Sequence, residues 1–583
     1  MTGPEGPSEF SAAVLAEFVK LGVRHVVVCP GSRSQALALA AAEFEQAGLV
    51  TLSVRIDERS AGFLALGIGV ESSTPALVIT TSGTAVANLL PAVLEAHHSG
   101  VPMIVVTADR PEALRGIGSN QTTAQRGMFG EFVRFAREVE APSAGGFDPA
   151  YPGELAAATY LAATGLSGPS GPVHVNIAFA EPLSGTFDHA IFDDLTTDES
   201  AAAQNSSHLR VLETVTIPVA PNTVVVAGHG AGLVAEEVAH ALGAPLLAEV
   251  SSGAHFGRNL VVAYRQLLGM ADFGERVQRV IVFGHPTLSR EVPQLIQRGG
   301  VETIVVRGSA AEEYNPGHCV SQFVDAVEVE GEGEGGVAAA DPAWLGSWVS
   351  ASRDLLADTV TVDLAHSRTD DAKAIREFTK AQLAVFRESV TRRMLVETVW
   401  QKTWPHDRLV FGSSRLIREA DRVVVGKNIR VHANRGLAGI DGTIATATGI
   451  ALASQLGNVT GGTAHGRTAH SNAAAGTTRV VLGDLAFLHD VGSLLTAPGE
   501  FSPRIQVIVG NDGGGTIFDS LEVAGTAEAQ SFDRVLYTPQ TVQLEQLALA
   551  YGWHYLRASN RGELDEALVS PRERTLIEVP LPR

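Results

Sequence analysis

The chain has 583 residues, 45% of them hydrophobic and 18% charged, which is room for three or four domains at ~150 residues each and excludes a disordered polypeptide. Its 43 basic and 64 acidic residues leave a formal charge of −21, which excludes a large nucleic-acid surface while leaving room for a local basic pocket that takes a small acid. The opening MTGPEGPSEF has neither a basic start nor an apolar run, no stretch nears ~20 uninterrupted apolar residues, and two cysteines are too few for a disulfide framework, so a cytoplasmic protein with no signal peptide and no membrane span is expected.

Along the chain, short β-branched runs alternate with Ala/Leu-rich helical stretches. The runs are HVVV (25–28), ALVIT (76–80), MIVVT (103–107), TVVVA (223–227), RVIVF (279–283), TIVVR (303–307), RVVL (479–482) and IQVIV (505–509). Strands that are apolar throughout are buried on both faces between helices, which predicts α/β architecture with parallel sheets. Polar or low-complexity stretches at 184–208, 331–336 (GEGEGG) and 356–374 divide the chain into expected domains 1–185, 186–360 and 375–583. Each is expected to be a doubly wound parallel sheet, the middle one Rossmann-like and distinct from the other two.

The first and third of these match element by element. SEFSAAVLAEFVKLGVRHVVVCPGSRS (8–34) reads helix, strand, Gly-Ser turn, as does TRRMLVETVWQKTWPHDRLVFGSSR (391–415). RSAGFLALGIGV (59–70) corresponds to RGLAGIDGTIATATGIAL (435–452), each an Arg followed by a helix of small residues. VITTSGTAV then pairs with VVLGDLAFL, MIVVTADRP with IQVIVGNDGG, and PVHVNIAFAEP (172–182) with TLIEVPLP (575–582). The order predicts a duplicated fold gripping a ligand from both sides, with 455–478 a Gly/Ser/His-rich insertion in the second copy.

The sharpest chemical signal lies in the third domain. RVVL runs into Gly483-Asp484 and IQVIV into Asn511-Asp512-Gly513-Gly514-Gly515, with enough chain between them for one helix and one strand. Parallel strands deliver both groups to the carboxyl edge of one sheet, where open α/β folds bind ligands. The Asp484 carboxylate, the Asn511 amide oxygen and the Gly513 carbonyl form a hard oxygen set suited to magnesium shared with a diphosphate, and the glycines admit phosphates close to the backbone. Elsewhere, Cys29 ends an apolar run and reads as a small buried residue rather than a nucleophile. GHGAG (228–232) reads as a structural turn, since no partner acid follows about 20 residues on, and His465 and His470 in the insertion are not read as a metal site.

The pair GDL…NDGGG is similar to the signature of thiamine-diphosphate enzymes, with Leu485 and Asp512 departing from its commonest form. The duplicated halves resemble the pyrimidine- and diphosphate-binding domains of the acetolactate-synthase and pyruvate-oxidase superfamily. PGSRS (30–34), RIDERSAGF (55–63), TTSGTAVANLLPAV (80–93), TADRP (107–111), NQT (120–122), ANRGLAGIDG (433–442), GDLAFLHD (483–490) and NDGGGTIF (511–518) together resemble the 2-succinyl-5-enolpyruvyl-6-hydroxy-3-cyclohexene-1-carboxylate synthase family of menaquinone biosynthesis. The likeness is good over both outer domains and poor over the middle one.

That resemblance implies thiamine diphosphate with magnesium, or manganese in its place. It implies decarboxylation of 2-oxoglutarate and conjugate addition of the succinyl carbanion equivalent to isochorismate. Glu58 would be the catalytic group, hydrogen-bonded to the cofactor's aminopyrimidine. Gly439, Ile440, Gly483, Asp484, Asn511, Gly513, Ile517 and Phe518 would hold the cofactor, Ile440 as the prop that bends it, and Asp484, Asn511 and Gly513 would hold the metal. Ser32, Arg33, Arg110, Gln121, Arg290, Ser414, Arg418 and Arg435 would line the substrate pocket, where planar guanidinium suits two dicarboxylates. The implied assembly is a homo-oligomer, a dimer or a tetramer, with active sites between chains. Two alternatives stay open: another thiamine-diphosphate enzyme, such as an acetohydroxyacid synthase or a 2-oxo acid decarboxylase, and a non-catalytic nucleotide-binding regulator built on Rossmann-like domains.

Overall fold

The computed structural model describes residues 6–140, 146–166, 168–193, 213–308, 312–330, 341–357, 386–456, 476–570 and 572–583, with the single positions 142, 195, 373, 376 and 380. The acidic run 331–336, nearly all of 356–374 and most of the 455–478 insertion, with His465 and His470, lie outside the described residues.

Strands β1 (His25–Val28), β2 (Thr51–Val54), β3 (Ala76–Thr80), β4 (Met103–Asp109), β5 (Ala136–Val139) and β6 (Pro172–Ala178) form a parallel sheet in the order β2-β1-β3-β4-β6-β5. The central strands are buried at every position, as their unbroken apolar runs require, whereas the edge strand β5 (AREV) is largely exposed.

The middle of the chain supplies β7 (Thr214–Ile217), β8 (Thr223–Ala227), β9 (Leu246–Ala248), β10 (Arg279–Phe283), β11 (Glu302–Val306), β12 (Gln322–Val324) and β13 (Ala326–Val329). Five of them form a parallel sheet in the order β12-β11-β10-β8-β9, and β13 pairs with β7 in a small ribbon. Because β9 lies on one side of β8 and β10 on the other, the winding reverses between β8 and β10.

The last sheet contains β14 (Arg408–Phe411), β15 (Arg430–Ala433), β16 (Thr478–Gly483), β17 (Ile505–Asn511), β18 (His554–Arg557) and β19 (Arg574–Pro580), in the order β15-β14-β16-β17-β19-β18. Counted from its own first strand this is the order of the first sheet, so the correspondence seen in the sequence is a duplicated topology.

Helices Glu58–Ser72 and Thr443–Leu456, one from each copy, pack directly on each other. Their small residues are a steric necessity: a Cβ on Gly67 would lie 1.9 Å from the Thr446 carbonyl oxygen, and one on Gly449 would lie 2.1 Å from that of Leu64. Among the described residues no helix is long and apolar enough to cross a membrane.

Candidate active site

In the last sheet, β16 and β17 run side by side with Gly483 opposite Gly510, so Asp484 and Asn511 emerge at the same edge. Asp484 is 5% exposed, and its Oδ1 accepts the Leu485 N–H at 2.8 Å. Burial and neighbouring Asp512 push its carboxyl up to about 6 against the pull of nearby backbone N–H groups, including that of Gly513. Asp512 is itself compensated: its Oδ2 accepts from Arg392 Nη2 at 2.8 Å and from Thr516 Oγ1 at 2.5 Å.

The glycines that follow make the turn possible. Gly513 adopts φ +79°, and a Cβ on Gly514 would lie 2.3 Å from the Tyr537 carbonyl oxygen. That carbonyl accepts the Gly515 N–H at 2.7 Å, and the Tyr537 hydroxyl donates to the Asp512 carbonyl at 2.6 Å, so the turn lies flat on the 536–537 backbone. Asn511 donates through Nδ2 to Glu578 at 2.8 Å, and its Oδ1 accepts the Gly513 N–H at 3.3 Å.

This edge lines a cavity of about 150 Å³ whose walls include Ser414, Ile440, Gly483, Asp484, Ile517 and Phe518. Ile440 is 40% exposed at its rim, which rules out a role as an ordinary core isoleucine. Gly439, Asn511 and Gly513 adjoin the cavity in sequence without forming its wall. A buried carboxyl with its charge form disfavoured, beside amide and backbone oxygens on a glycine turn, is a site that a hard divalent cation and a diphosphate would satisfy. The residues therefore fit the implied metal and cofactor. Among the described residues, no cluster of three His, Cys, Asp or Glu side chains offers a different metal site.

Glu58 belongs to the other copy. It opens helix Glu58–Ser72, whose N-cap Asp57 accepts the Arg59 N–H at 2.9 Å. It is half-buried, receives Asn88 Nδ2 at 3.4 Å, and lies off the wall of the Asp484 cavity. Cys29 nearby is buried, and burial aided by the Glu58 and Asp57 charges pushes its thiol far up, which leaves an inert side chain.

The arginines gather into two groups. In the first, buried Arg110 donates to Ser82 Oγ at 2.8 Å and to the Gln121 carbonyl at 2.6 Å, and Gln121 holds a left-handed φ of +54°. Arg33 donates to the Phe179 carbonyl at 3.1 Å, and burial together with Arg110 lowers its pKa; Ser32 stands exposed beside it.

The second group lies where the middle and last sheets meet. Arg435 is 5% exposed and donates to Thr287 Oγ1 at 2.9 Å, to the Thr287 carbonyl at 3.3 Å and to Ser413 Oγ at 3.4 Å. Arg418 makes no hydrogen bond or ion pair among the described residues, and burial with Arg265, Arg290 and Arg422 lowers its pKa. The Arg290 side chain is 74% exposed and among the described residues pairs only with Glu522, at 3.8 Å. Ser414 precedes the helix that carries Arg418: it is the N-cap of helix Arg415–Val423, and its hydroxyl accepts the Leu416 N–H at 3.2 Å.

Sequence reasoning passed over several groups that hold this region. Glu95 accepts the Gly436 and Leu437 N–H groups at 2.7 and 2.8 Å, Asp421 accepts the Val250 N–H and Thr287 receives Arg435 between the middle and last parts, and Glu249 accepts the Thr287 N–H behind them. Their partners lie far away in sequence, so no local pattern marks them. A larger cavity, about 490 Å³, opens on this seam and is lined by His98, His229, His285, Arg307, Tyr314 and Arg435. The GHGAG segment on its wall is a turn: His229 and His285 exchange backbone hydrogen bonds at 2.9 and 2.8 Å, and a Cβ on Gly228 would meet Pro286 N at 2.1 Å.

Comparison with known proteins adds a second line of evidence. The family model described as thiamine pyrophosphate enzyme, N-terminal TPP binding domain, matches residues 9–132. The 2-succinyl-5-enolpyruvyl-6-hydroxy-3-cyclohexene-1-carboxylate synthase of Leifsonia xyli subsp. xyli is 53% identical, covering 99% of this chain and 96% of its own length. The enzyme of the same name from Clavibacter michiganensis subsp. michiganensis is 55% identical over 98% of this chain and 95% of its own. That of Paenarthrobacter aurescens is 40% identical over 100% and 96%.

Proposed function

The chain belongs to the 2-succinyl-5-enolpyruvyl-6-hydroxy-3-cyclohexene-1-carboxylate synthase family of thiamine-diphosphate enzymes, and on that premise we propose how its residues divide the work. The reaction is the decarboxylation of 2-oxoglutarate and the conjugate addition of its succinyl fragment to isochorismate, a step of menaquinone biosynthesis that releases CO2. Thiamine diphosphate, when bound, supplies the electron sink for this carbanion chemistry.

The chain's own groups bind, orient and move protons. Asp484, Asn511 and the Gly513 carbonyl hold magnesium, or manganese in its place, against the diphosphate. Gly439, Gly483, Ile517 and Phe518 seat the cofactor, and Ile440 at the cavity rim presses against it. Glu58 holds a proton at the aminopyrimidine. Arg418 and Ser414 take the distal carboxylate of 2-oxoglutarate, while Ser32, Arg33, Arg110, Gln121, Arg290 and Arg435 receive the remaining carboxylates. The division into pyrimidine-binding (1–185), central (186–360) and diphosphate-binding (375–583) parts belongs to the same reading, as does a cytoplasmic homo-oligomer.

The observation that carries this reading is the buried Asp484 beside a glycine turn, with Arg418, a cation without a partner among the described residues, on the helix that Ser414 caps at the cavity wall. The test mixes protein, thiamine diphosphate, magnesium, 2-oxoglutarate and isochorismate and identifies the product by mass. Carboligation with isochorismate is expected; CO2 release with no carboligated product would favour a plain 2-oxo acid decarboxylase.

A further inference from the structure

Glu249 follows β9 in the middle sheet and is 2% exposed. Its Oε1 accepts two backbone N–H groups, those of Thr287 at 2.7 Å and Leu288 at 2.6 Å. Thr287 is the residue on which the Arg435 guanidinium rests, through both its hydroxyl and its carbonyl. The next residue, Val250, donates its N–H to Asp421 Oδ1 at 2.5 Å, and Asp421 lies on helix Arg415–Val423, one turn beyond Arg418. Asp421 is tied down further by the Tyr264 hydroxyl at 3.0 Å and by Arg265. Two consecutive residues just after β9 thus hold the loop that receives Arg435 and the helix that carries Arg418.

We propose that Glu249 is a positioning residue that acts through Thr287 on Arg435, while its neighbour Val250 ties the same turn to the Arg418 helix. The inference rests on the assignment of these arginines to substrate. The charged and titratable groups facing Glu249 are Asp421 and Arg418 from helix Arg415–Val423, Tyr264 and Arg265 from helix Tyr264–Leu268, Tyr314, and Arg435. Burial, with Asp421 adding to it, pushes the Glu249 carboxyl up to about 8. The same push favours its neutral form, which still accepts both N–H groups. It fixes the loop by hydrogen bonds and leaves the arginine charges to the substrate carboxylates. Above pH 8 its negative charge would compete with them.

The test uses the holoenzyme with thiamine diphosphate and magnesium. KM and kcat for both substrates are measured in wild type, Glu249→Gln, Glu249→Ala, Arg435→Ala and the double variant Glu249→Ala/Arg435→Ala. Arg435→Ala identifies the substrate whose KM Arg435 controls. Glu249→Ala should raise that same KM roughly tenfold with kcat little changed, and the double variant should be no worse than Arg435→Ala alone, because residues acting as one unit are non-additive. Glu249→Gln, which keeps the acceptor and lacks the charge, should stay within about twofold of wild type and should lose the rise of that KM above pH 8. Additive losses, or a Gln variant as impaired as Ala, overturn the proposal. If Glu249→Ala fails to fold in a thermal melt, the Gln pH profile decides, and a KM rising equally in wild type and Gln overturns it too. An unchanged KM in Arg435→Ala overturns the substrate assignment itself, a failure distinct from additivity.

Discussion

Asp484 and Asp512 sit at the ends of neighbouring strands with opposite fates. Arg392 and Thr516 neutralise Asp512, whose charge serves the turn, while Asp484 stays buried with its carboxyl pushed up to about 6. Asp484→Ala, like Asn511→Ala, should abolish magnesium-assisted binding of thiamine diphosphate with the fold intact. Calorimetric titration with magnesium present checks this, and wild-type affinity in either variant would remove these residues from the metal site. Arg418 is the other informative residue, since it lacks a partner among the described residues. A charge-assisted hydrogen bond to the distal carboxylate of 2-oxoglutarate is worth roughly 1.5–3 kcal/mol, or about one to two decades in specificity. Arg418→Ala should therefore lower kcat/KM for 2-oxoglutarate far more than for pyruvate. Equal losses would mean that Arg418 serves structure or the second substrate.

Among the elements, the two small-residue helices explain themselves once they are seen in contact. Gly67 and Gly449 each face a carbonyl oxygen on the opposite helix at a distance no Cβ tolerates. Gly67→Val should force the helices apart and destabilise the protein by about 1–3 kcal/mol, read as a lower midpoint in thermal unfolding. An unchanged midpoint would mean that the seam yields freely. The strands show a different regularity. HVVV, ALVIT, TVVVA and RVIVF are strands β1, β3, β8 and β10 residue for residue, because a strand covered on both faces has to be apolar throughout. Strands β2, β5 and β18 left no such trace. They lie at sheet edges with partly exposed positions, so TLSV, AREV and HYLR carry polar side chains that read as loop.

At the scale of the whole molecule, the proposed function divides different chemistry between the two copies of one fold: Glu58 on the first, Asp484 and the glycine turn on the last. Glu58 lies off the wall of its own chain's Asp484 cavity, and in the proposed dimer each site would take its glutamate from the partner. Glu58→Gln should bind the cofactor normally yet slow proton–deuterium exchange at the thiazolium carbon by orders of magnitude; wild-type exchange would remove Glu58 from the mechanism. Mixing inactive Glu58→Gln with inactive Asp484→Ala chains should recover activity, since a hybrid dimer holds one site with both groups intact. No recovery after verified subunit exchange would place each site within one chain.

Composition, the apolar runs and the paired strings were enough to establish the α/β class, the duplication and the family, because each is written in local residue order. The Gly-Asp and Asn-Asp-Gly-Gly-Gly ends were legible for the same reason: a strand followed by a polar turn projects its chemistry at the sheet's carboxyl edge whatever surrounds it. What the tertiary structure alone decided is which groups meet. Ser414, expected with Arg418 in the substrate pocket, is also the helix cap, because its hydroxyl satisfies an amide that the first turn leaves free. Thr287 holds the Arg435 guanidinium, Glu249 and Glu95 fix the backbone of Thr287 and of Gly436, and Asp421 fixes that of Val250, each from a distant part of the chain. Buried carboxylates choose partners by proximity in the folded molecule, and that proximity comes from the packing of separate sheets rather than from neighbours along the chain.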